Sequence, residues 1–248
     1  MLRALVASMI LVVSFQPWST AHAQWGNGGN SWTNPYTGTT WNNPMSSYLD
    51  TVIMNGIWSR FPSSSAEAEP TEAEALPPVG ASAFVPQSGR LQVQAVAAGL
   101  TDDPQLRAGL TDLFEAGLQQ FETIAREDGR EHNVALAFTY LVGVSYLVYT
   151  GGDEPSERAL ESVWEAVHRT LAESPDFQRS SHAERQGFYE TLVVLATLPL
   201  AGYQEGLETG DAETLATYQA LAGDLLSTLF DVAPDEVRFT ADGLIVGR

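Results

Sequence analysis

The side chains that carry most enzymatic chemistry are sparse in this sequence and widely spaced. Beyond residue 23 there are three histidines, His132, His168 and His182, each in a different segment. None belongs to an H-x-x-x-H or H-E-x-x-H pair, so the spacing that seats zinc on one helix face is missing. Cys does not occur, which excludes thiol nucleophiles, disulfides and thiolate metal sites. G-x-S-x-G, a P-loop and G-x-G-x-x-G are all absent, and with them the fingerprints of common hydrolases and of nucleotide and dinucleotide sites. Ser180, Ser181 and His182 are adjacent, but a nucleophile, its base and an orienting group meet through the fold rather than through adjacency. Asp102, Asp103 and Asp211 lack the spacing of a calcium loop. The sequence therefore assigns no catalytic residue, no metal ligand and no cofactor.

Two constellations remain. Arg130-Glu131-His132-Asn133 opens one apolar stretch, and Glu184-x-Gln186-x-x-Tyr189-Glu190 opens a later one. If those ends meet, Asn133, Gln186, Tyr189 and Glu190 form a buried polar network. Such a network either lines a small pocket or fixes helix register, and register is the favoured reading. Glu184, Glu190 and His182 are the groups an enzyme would use here for acid–base work. The second constellation is aromatic. Trp32-Thr33-Asn34-Pro35 is echoed nine residues later by Trp41-Asn42-Asn43-Pro44, in an uncharged stretch rich in Gly, Asn and Thr. Trp32 and Trp41 are candidate contacts for a partner groove or a glycan. The favoured alternative is that the rings dock on the protein's own core. The Gly and Asn-Pro pairs predict turns rather than regular structure here.

The elements that must position these groups are helical from residue 81 onward. Thr101-Asp102-Asp103-Pro104 is a start signal, and Leu106, Leu110, Leu113, Phe114, Phe121 and Ala125 then form one stripe. Asn133 caps a segment, 134–149, that is apolar on nearly every face and so reads as the central helix of a bundle. Gly151-Gly152 stops it, and Pro155 opens the next, with Leu160, Val163, Trp164, Val167 and Leu171 facing inward. Ser181 and Glu184 form a capping box. Phe188, Leu192, Leu195 and Leu198 follow, until Pro199 kinks or divides that helix. Asp211 caps the last helix, and Asp242-Gly243 signals a short hairpin in the tail. The expected fold is all-α, a bundle of about five or six helices, with a short C-terminal β-hairpin and an extended N-terminal arm.

The ends of the chain supply its address and its charge. Met1-Leu2-Arg3, an apolar run over 4–15 and Ala21-His22-Ala23 have the order of a secretory signal peptide cleaved between Ala23 and Gln24. The expected divisions are a signal peptide at 1–23, a Trp/Asn/Gly-rich arm at 24–61, an acidic Pro/Ser/Glu linker at 62–80 and the helical domain at 81–248. Within the arm, residues 48–61 place Tyr48, Val52, Ile53, Ile57 and Phe61 near helical spacing. All 12 basic residues of the 248 are Arg, against 31 acids, for a net charge of −19. A chain this acidic is a poor match to nucleic acid or to an anionic membrane. Bacterial export to the periplasm or outside is the expected localisation.

Four features in order carry a family resemblance. They are Phe84-x-Pro86, Asn133-Val134-Ala135-x-Ala137, Glu184-x-Gln186-x-x-Tyr189-Glu190, and Thr240-Ala241-Asp242-Gly243-Leu244. Over residues 81–246 the chain resembles a family of uncharacterised bacterial exported proteins classed as a domain of unknown function. That family usually has Asn-Asp where this chain has His132-Asn133. The resemblance implies a helical exported domain without an assigned reaction. The expected function is that of a non-enzymatic module acting on a protein partner in the cell envelope, its oligomeric state left open. The alternatives are a cell-envelope hydrolase using Glu184, Glu190 or His182, and a carbohydrate-binding protein using Trp32 and Trp41.

Overall fold

The computed structural model describes residues 75–247, together with the backbone of residues 31–33 and 40–42. The expected cleavage site at Ala23 and Gln24, the helical pattern of 48–61 and most of the acidic linker lie outside the described residues. The fold is all-α, with seven α-helices among the described residues. They are α1 (Val93–Leu100), α2 (Pro104–Glu127), α3 (Val134–Thr150), α4 (Glu157–Glu173), α5 (Pro175–Arg179), α6 (His182–Thr209) and α7 (Ala212–Phe230). None of these helices is long and apolar enough to cross a membrane. Two short antiparallel pairs accompany them: β1 (Ser31–Thr33) with β2 (Thr40–Asn42), and β3 (Val237–Phe239) with β4 (Leu244–Val246).

The caps set the helix boundaries. Asp103 accepts from the amides of Gln105 and Leu106 at 2.8 and 3.2 Å, ahead of Pro104. Asn133 accepts from Leu136 N, and Gly151 ends α3 at φ +77°. α4 begins two residues later than expected: Ser156, whose hydroxyl accepts from Ala159 N, is the cap, and Pro155 lies before it. Ser181 and Glu184 form the capping box of α6. Each such cap satisfies amides that the first helical turn would otherwise leave bare.

α3 is the hub. Fourteen of its residues are buried, and its largest contact is with α6, followed by α7 and α4. Pro199 neither ends nor divides α6, which runs on for 28 residues. A mid-helix proline removes one hydrogen bond at a cost of about 3 kcal/mol. Here Pro199 is buried, and α6 packs against α1, α2, α3 and α7, which offsets that loss. The simple stripe expected for α6 is also too narrow. Phe188, Leu195 and Leu198 are only half-buried, whereas Val193, Val194 and Leu200 on other faces are buried. Close approach helps: a Cβ at Gly117 would collide with Thr197, and one at Gly202 with the Tyr218 ring.

The C-terminal hairpin forms as expected. Val237 pairs with Val246 and Phe239 with Leu244, and Thr240 N donates to Gly243 O at 2.8 Å to close the turn. Two segments differ from expectation. The Trp-rich echo contains a two-stranded ladder rather than turns alone, with Trp32 the Cα partner of Trp41. Helical structure also begins later than residue 81. After a 3-10 turn at Val79–Ser82 the chain stays largely extended until Val93. Residues 75–92 form a strap across the N-terminal ends of α3 and α6 and along α4.

Candidate functional site

Five of the buried polar side chains, Asn133, His168, Arg185, Gln186 and Glu190, converge on the strap and hold its backbone. His168, fully buried on α4, lies 3.0 Å from Pro77 O through Nε2 and 2.7 Å from Ser82 Oγ through Nδ1. A carbonyl oxygen only accepts, so Nε2 carries a proton, and in the neutral ring Nδ1 then accepts from the Ser82 hydroxyl. The imidazole is stacked on Trp164 at 4.8 Å, and the Arg130 guanidinium lies 3.7 Å from the Trp164 ring centre. Arg130 forks onto Glu161 at 2.9 and 2.5 Å, which fixes the guanidinium over the indole.

Asn133 has two tasks. Its Oδ1 caps α3 and takes a long bond from Trp164 Nε1 at 3.4 Å, while its Nδ2 donates to Val79 O at 3.1 Å. Next to it, Phe84 N donates to His132 O. His132 itself sits at φ +54°, an uncommon left-handed geometry for a non-glycine residue. Further along, Gln178 Nε2 donates to Ala81 O at 2.9 Å. Arg185 reaches Ala83 O at 3.0 Å and also bonds Phe177 O, Gln178 O and Ser180 Oγ. Burial lowers the pKa of its guanidinium below the ordinary value.

The last part of the strap is held by the start of α6. His182 Nδ1 accepts from Val85 N at 3.1 Å. Gln186 accepts from Gln87 N at 2.6 Å and donates to both Gly89 O and Glu190 Oε1, at 3.0 and 2.8 Å. Glu190 is fully buried, and its Oε2 accepts from Leu91 N and Gln92 N at 2.7 and 2.9 Å. Those two amides immediately precede α1, so a carboxylate from α6 caps another helix, where a negative charge is favoured. Nearby, Arg90 forks onto Glu122 at 2.5 and 3.0 Å, a bond that raises the guanidinium's pKa.

Of the four residues read as one network, the structure joins only Gln186 and Glu190 by a direct bond. The bonds of Asn133 run to the earlier part of the strap. Tyr189 lies between them by its ring, 5.2 Å from Phe84 and 5.5 Å from Phe121. Its buried hydroxyl has no hydrogen-bond partner, and burial raises its pKa. Of the acid–base candidates, Glu184 is exposed and bonded by Ser181 N and Oγ at 2.7 and 2.8 Å. Trp32 and Trp41 face each other in the register of β1 and β2. No group of three or more metal-ligating side chains occurs among the described residues.

Sequence reasoning singled out His168 without its role and missed Arg185, Gln178 and Ser82. A signal existed for that role: His168 follows Val167 within the inward stripe of α4. The strap had a signal too, since residues 75–101 contain no acid in a chain that has 31. Chemically, the arrangement is a clamp on extended main chain. Side-chain amides, imidazoles, a guanidinium and a carboxylate replace the partner strand that the backbone lacks.

No curated protein and no solved structure matches the chain. One family model, described as a family of unknown function (DUF6683), matches residues 1–246. The match takes in the Trp-rich arm as well as the helical domain, a wider span than the resemblance over 81–246. The chain thus belongs to that family of unknown function, DUF6683.

Proposed function

We propose that this protein is an exported, non-enzymatic interaction module whose helical domain supports a Trp-bearing arm that contacts a protein partner in the cell envelope. The observation that carries the reading is how the acid–base candidates are used. Glu190 accepts three hydrogen bonds, from Leu91 N, Gln92 N and Gln186 Nε2. His182 Nδ1 is taken by Val85 N, and Glu184 by its own capping box. A general base needs a free lone pair directed at substrate; the Glu190 oxygens and His182 Nδ1 are instead taken by the chain's own N–H groups, and Glu184 Oε2 by the Ser181 amide and hydroxyl. The charge pattern favours the arm as the contact surface. Residues 24–61 carry one Asp and one Arg, while 26 acids against 10 Arg leave residues 81–248 at −16. Like-charge repulsion keeps such a domain soluble, and the uncharged aromatic stretch is the adhesive part.

Glycan binding is the second reading, favoured by the direct pairing of Trp32 with Trp41. One double variant, Trp32→Ala with Trp41→Ala in the full chain, tests both. Capture of a partner from an envelope extract is lost while the melting temperature is unchanged. Retention of capture, with a lower melting temperature, would mean that the rings pack on the protein's own core. Loss of sedimentation with insoluble cell-wall polysaccharide, rather than of protein capture, would select the glycan reading.

A further inference from the structure

Five large apolar side chains stand exposed among the described residues: Leu76, Val79, Val85, Leu91 and Leu207. Four of them belong to the strap. Leu207 lies near the C-terminal end of α6, about 38 Å along the helix from the end that meets the strap. The strap carries no acid in an acidic domain, and Arg90 is its single charge over residues 75–92. Its backbone is committed to the cradle, so its outward side chains are what it offers. Four exposed apolar side chains within one 18-residue segment point to a contact surface.

We propose that Leu76, Val79 and Val85 are the seat of the apolar segment 48–61 of the same chain. That segment enters the domain at the right place. Only 13 residues, 62–74, separate Phe61 from Ala75, the neighbour of Leu76. A coil of that length spans roughly 20 Å, and about 45 Å when fully stretched. The seat is thus within easy reach, and a linker this short holds the segment at an effective concentration on the order of millimolar. The chemistry matches: Tyr48, Val52, Ile53, Ile57 and Phe61 repeat at helical spacing, and Asp50 with Arg60 leaves the segment uncharged. Neither side faces the repulsion that the domain's −16 would impose on an acidic ligand. The seat positions the Trp-bearing part of the arm next to the strap without using either Trp.

The absence of Cys makes the test direct, because introduced cysteines are the only thiols. In the full mature chain, Ile57→Cys with Val85→Cys forms a within-chain disulfide on mild oxidation. Its rate is independent of protein concentration and at least tenfold faster than for Ile57→Cys with Leu207→Cys. Equal rates for the two pairs, or crosslinks formed only between chains, overturn the proposal; the latter makes a second copy the occupant. A thiol-labelling measurement covers the risk that the paired variant disturbs the seat. Val85→Cys alone reacts with a soluble maleimide at least fivefold more slowly than when Val52→Ser and Ile57→Ser are added, and equal reactivity overturns the proposal. Both readouts are taken without a partner, so they fail independently of partner capture.

Discussion

At the scale of single residues, Glu190 is the most demanding position. Its two oxygens serve opposite sides: Oε1 accepts from Gln186, and Oε2 accepts from Leu91 N and Gln92 N. Glutamine in its place has one oxygen and one NH2. Whichever way the amide is turned, a donor faces a donor in a site with no exposure. Hydrogen bonds to a charged group contribute about 1.5–3 kcal/mol, and an orphaned buried donor costs a similar amount. Glu190→Gln therefore lowers the unfolding free energy by roughly 2 kcal/mol in urea titrations, and exchange at Leu91 and Gln92 quickens. A loss below about 0.5 kcal/mol, the size usual for surface changes, would show that the carboxylate does not hold the strap. The sequence already named Glu190 and Gln186 because polar residues opened an apolar helix. Beyond their bond to each other it did not name their partners, which are backbone groups of the strap, and backbone groups have no sequence signature.

At the scale of elements, the helices were legible and the strap was not. Caps such as Asp103, Asn133, Ser181 and Asp211 are local, and so is the apolar periodicity of α4; both are readable from neighbours in the chain. The strap has no period. Its conformation is set by His168, Gln178, Arg185 and Gln186, some 90 to 100 residues away in sequence. Pro199 was misleading for a related reason, since tertiary packing around α6 outweighs a local breaker. The capping box on α6 gives a test of local physics. The Ser181 amide, and next its hydroxyl, hold the Glu184 carboxyl below its ordinary value. A carboxylate whose pKa is lowered by folding stabilises above its unfolded value and loses that contribution as pH falls through the folded one. Glu184→Gln is thus less stable than wild type at pH 7. Urea midpoints of the two proteins converge as the pH is lowered from the ordinary glutamate range toward and below the folded value. A gap that stays constant down to full protonation would assign the effect to something other than charge.

At the scale of the whole molecule, charge is the dominant unsettled force. Residues 81–248 combine 26 acids with 10 arginines. Ion pairs among the described residues include Arg90–Glu122, Arg126–Glu131, Arg130–Glu161, Arg158–Asp242 and Arg179–Asp176. Several of these are largely exposed, and exposed pairs contribute little. The excess acids repel one another over distances comparable to the domain at low salt, where the screening length is about 30 Å at 0.01 M and below 10 Å beyond 0.1 M. Added salt weakens attraction and repulsion alike, so the sign of the change reveals which is larger. The charge imbalance says repulsion. The melting temperature therefore rises between 10 mM and 300 mM NaCl by roughly 2–4 °C, the shift that about 1 kcal/mol produces in a chain of this size. Removing residues 24–61, whose net charge is zero, leaves that salt slope unchanged even if it moves the melting temperature itself. A slope of opposite sign would mean that the cross-linking arginines, above all Arg130 between Glu161 and Trp164, hold more of the fold than the excess of acids costs it.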